Sequence, residues 1–257
     1  SEMCIRDRNS GVEIIQNSNP LFRNCKFQTL GRTNSLISCN NASVEIQKCS
    51  FADEYQTPIS TSFTAVTTAI ELMNSRCRID SSEFRLRKTS ISFLEATQSE
   101  VTITNSSFLS VSSRYMLRFF TSNAKTRNAT FKNFSLFPSR SGAMILHNNS
   151  KAEYNYCLFD SIGSETFQVE NVNRSEIVFN NCVTRAGQFM RNTRSFPVLN
   201  NCTITNIRGY NTSVGPAIEL IANSDSTVLR ANNTIFWTNR LAQNRSDIMH
   251  LGTGPNP

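Results

Sequence analysis

The sequence predicts an all-β solenoid of short strands, and three observations carry that prediction. An eight-residue template recurs nine times. Its copies lie about 26 residues apart on average, a spacing typical of solenoids. Within each copy, the apolar positions change phase. Strand side chains repeat every two residues, so in PLFRNCKF (20–27) Pro20 and Phe22 share one face. The next apolar residues, Cys25 and Phe27, fall out of phase with them, and a straight strand would send them to the other side.

The slip recurs along the chain. VEIQKCSF (44–51) reads Val44 and Ile46, then Cys49 and Phe51; CRIDSSEF (77–84) reads Cys77 and Ile79, then Ser82 and Phe84. Six further copies begin at Val101, Ala124, Ala152, Ile177, Pro197 and Leu229. The last template position holds Phe27, Phe51, Phe84, Phe108, Phe131, Phe159, Thr184, Ile204 and Phe236. Two positions earlier stand Cys25, Cys49, Ser82, Ser106, Ala129, Cys157, Cys182, Cys202 and Thr234, all of them small. Between the two halves lies Asn24, Asn105, Asn128, Asn181, Asn201 or Asn233, with Lys48, Ser81 and Tyr156 as exceptions. Asn tolerates the left-handed backbone of a sharp corner. The slip is therefore a corner between two short strands that face one interior.

Upstream of each template lies another apolar stretch, such as SLISC, TAIELM, ISFLEA, YMLRFF or FQVENV. Turn-rich residues separate it from the template: Asn40-Asn41-Ala42, Asn74-Ser75-Arg76 and Asn148-Asn149-Ser150. Each repeat thus holds three strands, and about nine coils stack with Phe on Phe and Asn on Asn. Asp247 to Leu251 reads as the first strand of a tenth. A helical solenoid is opposed by the low Ala and Leu content and by the period-2 stretches.

The short strands, the Asn-Cys-x-Phe corners and a constant coil with one variable loop resemble the right-handed parallel β-helix of the pectin-lyase-like superfamily, over roughly residues 12 to 251. The resemblance implies the fold more strongly than an activity, because that superfamily includes polysaccharide lyases and hydrolases, phage tailspikes and surface adhesins.

Residues 1–8, SEMCIRDR, show no trace of the repeat. They read like a translated sequencing-library adapter and are expected to lie outside the fold. Residues 9–257 then form a single β-helix domain, expected to be an environmental fragment truncated at both ends and flanked by further coils or domains of the same chain. Setting aside Glu2, Arg6, Asp7 and Arg8 leaves the net charge of +7 unchanged. That charge favours acidic partners such as uronate-rich or sulfated polysaccharide, or serves solubility alone. No apolar run reaches the length of a membrane span.

Cys25, Cys49, Cys157, Cys182 and Cys202 share one inward register position, and Cys39 and Cys77 are expected to face inward too. Buried free thiols are expected over disulfides, because parallel side chains on stacked strands point alongside one another. Ten Asn-x-Ser/Thr sequons occur. Asn105, Asn128 and Asn201, at the corner, are expected to face inward, beyond reach of a glycan.

Signals for catalysis are sparse. Glycoside cleavage needs converging acids, yet Asp53, Asp80, Asp160, Asp225 and Asp247 fall at different template positions. The Asp-Asp and Gly-His-Gly signatures that polygalacturonase relatives would carry are missing from the sequence. His147 sits at an inward position and reads as a core residue. Zinc-pair, nucleophile-elbow and phosphate-loop motifs do not occur. Aromatics fall mostly in the inward ladder, so nucleic acid is not an expected partner.

Three surface constellations remain. Glu71 and Glu95 occupy equivalent outward positions of adjacent coils with Arg118 next in line, a candidate calcium site or a charge row relieved by the arginine. Arg85, Arg87 and Lys88 cluster after Phe84 and could hold an acidic sugar. Leu158, Val183 and Ile235 turn an outward column apolar late in the chain, a candidate interaction stripe. Variable loops follow Phe51, Phe131 and Ile204, and recognition on a rigid scaffold commonly sits in such loops. These features favour a non-catalytic extracellular or cell-surface β-helix, adhesin-like or structural, that binds glycan or another surface. The alternative is a polysaccharide lyase or glycoside hydrolase acting on acidic polysaccharide.

Overall fold

The computed structural model describes residues 4–7, 12–29, 35–53, 68–86, 92–110, 115–133, 144–161, 167–185, 188–205, 217–222, 227–237 and 248–252. They form a parallel β-solenoid with three strands per turn and, among the described residues, no helix. The upstream stretches make one sheet of ten strands, from Val12–Ile15 to Ile248–Gly252. The first halves of the templates make a leading sheet of nine, from Leu21–Arg23 to Arg230–Asn232. The second halves make a ladder sheet of ten, from Cys4–Asp7 to Ile235–Trp237. Each strand pairs in parallel with its counterpart one coil away, so a residue's neighbours are its own equivalents.

One boundary needs correction. Cys4–Asp7 pairs with Lys26–Thr29, with Ile5 opposite Phe27. These four residues, expected outside the fold, extend the ladder sheet by one strand. The backbone groups of a sheet edge accept any segment that can extend beside them, whatever its side-chain pattern.

The register read from the template holds along the ladder sheet. Phe27, Phe51, Phe84, Phe108, Phe131 and Phe159 are buried and pair in sequence, followed by Thr184, Ile204 and Phe236. The rings stack with centroids 4.5 Å apart for Phe27 and Phe51, 4.4 Å for Phe51 and Phe84, and 5.2 Å for Phe131 and Phe159. Strand spacing in a sheet is about 4.8 Å, so the backbone sets the ring separation and near-parallel stacking follows. Cys25, Cys39, Cys49, Cys77, Cys157, Cys182 and Cys202 are free and buried.

All nine template corners are left-handed, with φ from 47° at Asn233 to 56° at Tyr156; Lys48 and Ser81 adopt the same conformation. The next residue, always small, takes the inward place. The corner side chain itself stays on the convex side of the bend. Asn105, Asn128 and Asn201 are therefore exposed, which overturns the inward placement expected of them and returns their sequons to the surface.

A second corner joins the upstream and leading strands. Asn41, Asn74, Gln98, Thr121, Asn149, Arg174 and Arg194 have positive φ there. Each precedes a buried small residue: Ala42, Ser75, Ser99, Ser122, Ser150, Ser175 and Ser195. The serines form a hydrogen-bonded column. The Ser99 N–H donates to Ser122 Oγ at 3.0 Å, and the Ser122 N–H to Ser150 Oγ at 3.1 Å. Each hydroxyl in turn donates back to a nearby carbonyl, as Ser122 does to Phe120 at 2.8 Å. The backbone groups freed by the bend are thereby satisfied.

Candidate functional site

Alternation fixes which side chains can meet a ligand. Interior positions are filled by the core, so chemistry can arise only on outward columns, at corners and in loops. Each residue of an outward column lies one strand spacing from its equivalents in the neighbouring coils, so like amides or opposite charges placed there meet directly.

On the upstream sheet, Glu71 lies opposite Glu95, and Glu95 opposite Arg118. Arg118 Nη1 donates to Glu95 Oε2 at 2.9 Å, between half-buried side chains. Its guanidinium also lies over Tyr115 at 5.3 Å and Phe120 at 4.9 Å. The arginine pairs with Glu95 alone of the two acids, and no group of three acidic, histidine or cysteine side chains suited to a metal forms among the described residues. Further along the sheet, Arg191 Nε meets Glu219 Oε2 at 2.6 Å and lies 4.4 Å from the Phe167 ring centroid.

The basic cluster is only partly described. Arg85 is exposed and donates to Glu83 at 2.6 Å, while Arg87 and Lys88 lie outside the described residues. Most of the three variable loops lies outside them too.

Of the five named acids, Asp225, Asp247 and the Asp53 side chain lie outside the described residues, and the other two, Asp80 and Asp160, lie on different sheets. Asp80, on the leading sheet, accepts from Thr104 at 2.6 Å and Asn105 at 3.0 Å. The Thr104 hydrogen bond holds its carboxyl below the usual range. Asp160, on the ladder sheet, lies between Lys132 and Arg185 in register. His147 is fully buried, stacked on Phe119 at 5.0 Å and 2.9 Å from the Tyr154 hydroxyl through Nε2. Burial pulls its pKa down to about 3, leaving a neutral core imidazole.

A different face gathers binding groups. On the leading sheet, Asn155, Asn180, Asn200 and Asn232 occupy one outward column. Their amides form a ladder: Asn180 Nδ2 donates to Asn155 Oδ1 at 2.9 Å, Asn200 to Asn180 at 2.8 Å and Asn232 to Asn200 at 2.8 Å. A primary amide carries two N–H donors and two acceptor lone pairs. The ladder uses one of each at Asn200, which keeps one donor and one acceptor for an outside partner, whereas the Asn180 amide also donates to Glu153 Oε1 at 3.4 Å and Asn155 donates to the same oxygen at 3.0 Å.

Half-buried Val178 and Val198 lie on one side of this ladder. On the other side run the corner residues Tyr156, Asn181, Asn201 and Asn233. Beyond them come Leu158, Val183, Thr203 and Ile235, in register. Leu158 and Val183 are half-buried and Ile235 is 54% exposed. The sequence identified the aliphatic column but missed the amide ladder beside it, although Asn at the fourth template position of four successive coils was its visible signal.

Tyr156 departs from this pattern. Asparagine holds six of the nine template corners, and a bulky side chain is unfavourable at positive φ. Yet Tyr156 sits there, 56% exposed, with the Arg127 guanidinium 5.7 Å from its ring centroid.

No family model matches the chain, and no curated protein matches it. Among solved structures it is similar to the crystal structure of PfbA, a surface adhesin of Streptococcus pneumoniae. The identity is 9% and the TM-score 0.36, over 95% of this chain and 72% of that one.

Proposed function

We propose that the protein is a non-catalytic, extracellular or cell-surface β-helix of the pectin-lyase-like superfamily, and that the outward face of its late coils binds glycan. The superfamily reading rests on the three-strand coil and the stacked Asn-small-x-Phe corners. The observation that carries the function is the amide ladder of Asn155, Asn180, Asn200 and Asn232 flanked by aliphatic columns. A sugar chain presents hydroxyl edges and apolar C–H faces in alternation. Amide acceptors along the ladder and the spare donor of Asn200, beside aliphatic side chains, supply both complements at a strand spacing of about 4.8 Å. A rigid face of this kind binds without the ordering cost of a flexible loop.

A glycan array combined with assays for new reducing ends and unsaturated uronates tests the proposal. Retention without product is expected. Product formation would move the protein to the lyases or hydrolases, and retention on no glycan would end the binding reading.

A further inference from the structure

We propose that Glu153 is a positioning residue that gives the amide ladder a single direction, and thereby fixes which way round a glycan chain lies along it; the proposal rests on the glycan-binding reading above. Glu153 and Asn155 stand two residues apart on one strand and share its outward face. Asn155 Nδ2 donates to Glu153 Oε1 at 3.0 Å, and Asn180 Nδ2 reaches the same oxygen at 3.4 Å. A carboxylate only accepts hydrogen bonds, whereas a primary amide can present either its donor or its acceptor. Asn155 must therefore turn its NH2 group to Glu153, which leaves its Oδ1 to accept from Asn180. The same choice passes from rung to rung. Asn200 donates to Asn180 and Asn232 to Asn200, so every bond runs toward Glu153. Aligned bonds of this kind polarise and strengthen one another.

The neighbouring charges leave this role to Glu153. Arg127, next to Asn155 in the ladder's own column, is donor-only and taken alone would favour the opposite direction. Its guanidinium lies beside the Tyr156 ring, 5.7 Å from the centroid. Lys125, the register neighbour of Glu153, supplies the complementary charge. Acids orient amides elsewhere on the leading sheet too. Asn105 Nδ2 donates to Asp80 Oδ1 at 3.0 Å, and Asn128 Nδ2 donates in turn to Asn105 Oδ1 at 3.2 Å. Gln47 donates to Glu45, two residues before it, at 3.4 Å. Apolar contacts with Val178, Val198, Leu158 and Val183 do not tell the two directions of a sugar chain apart. The amides do, because a chain along the ladder meets donors and acceptors in an order that reverses when it is turned end for end.

Neutron diffraction from deuterated crystals of the full chain reads which side-chain atom of each rung carries the deuterons, in wild type, Glu153→Lys and Glu153→Gln. Wild type should show every ladder bond directed toward Glu153. Lysine is donor-only, so Glu153→Lys should reverse the whole ladder; glutamine can donate or accept, so Glu153→Gln should populate both directions. Binding is read on an array of neutral and acidic oligosaccharides. Apparent affinity should fall about twofold in Glu153→Gln, where about half the molecules hold the competent direction, and about tenfold or more in Glu153→Lys, where fewer than about one in ten do. A ladder that keeps its direction in Glu153→Lys, or runs only one way in Glu153→Gln, would overturn the positioning role whatever is retained. A reversed ladder with wild-type affinity would overturn its effect on binding and leave the glycan-binding reading intact. Retention of no oligosaccharide by wild type would overturn that reading itself, while the crystals still decide the direction of the ladder.

Discussion

A single buried side chain can make the fold sensitive to acid. The imidazole of His147 is fully buried against Phe119 and Tyr154, and burial pulls its pKa from 6.5 to about 3. Above pH 6.5 the residue is neutral in both the folded and unfolded chain and has no effect on stability. Between pH 6.5 and about 3 the unfolded chain takes up a proton that the folded chain refuses. Stability then falls as pH falls, by roughly 1.4 kcal/mol per unit. The double variant His147→Phe with Tyr154→Phe replaces both partners by apolar groups of similar shape, a change that is often close to neutral. Urea unfolding at pH 7 and pH 5 should therefore show wild type losing about 2 kcal/mol more than the double variant across that interval. Equal losses would mean that His147 does not titrate between the two states.

At the scale of the strand and its corners, side-chain columns do as much as strand pairing. Ser122 illustrates this, since it accepts from the Ser99 N–H and donates to the Phe120 carbonyl. Ser122→Ala leaves that N–H buried without a partner, which costs about 1–3 kcal/mol. Thr121→Ala, at the exposed neighbouring corner, keeps the Ser99 bond and should cost less. Comparable losses of Tm in the two variants would show that the serine column is dispensable. The Phe column was legible because it is large, uniform and tied to a phase slip. The second corner was less legible because its left-handed residues are diverse, including Gln98, Thr121 and Arg194. The recurring feature is the serine that follows in all of these corners but the one at Ala42, and serine is common in turns of every kind. Corner orientation was misread for Asn105, Asn128 and Asn201, because two successive residues at a sharp bend do not follow strand alternation. Only the bend decides which of the two turns inside, and alternation through a bend does not reveal it.

Over the whole molecule, each coil touches chiefly the coils on either side, so stability is close to a sum of coil and interface contributions. Coils near an end lose one interface, and burial reflects this. Phe84 and Phe131 are sealed, whereas Phe236, at the equivalent position of the last described ladder strand, is only partly buried and Ala231 beside it is exposed. Opening should therefore start from the ends rather than uniformly. The cysteines report on it, since seven free, buried thiols are distributed from Cys25 to Cys202. Burial also raises the pKa of Cys39 and Cys77, which keeps them protonated and unreactive while folded. Under native conditions a thiol reagent should label Cys25 and Cys202 ahead of Cys77 and Cys157, because fewer coils must separate to reach them. Mass spectrometry of timed, quenched samples gives the order. One common rate for all four would show that the solenoid opens as a single cooperative unit, with coupling between coils stronger than nearest-neighbour stacking supplies.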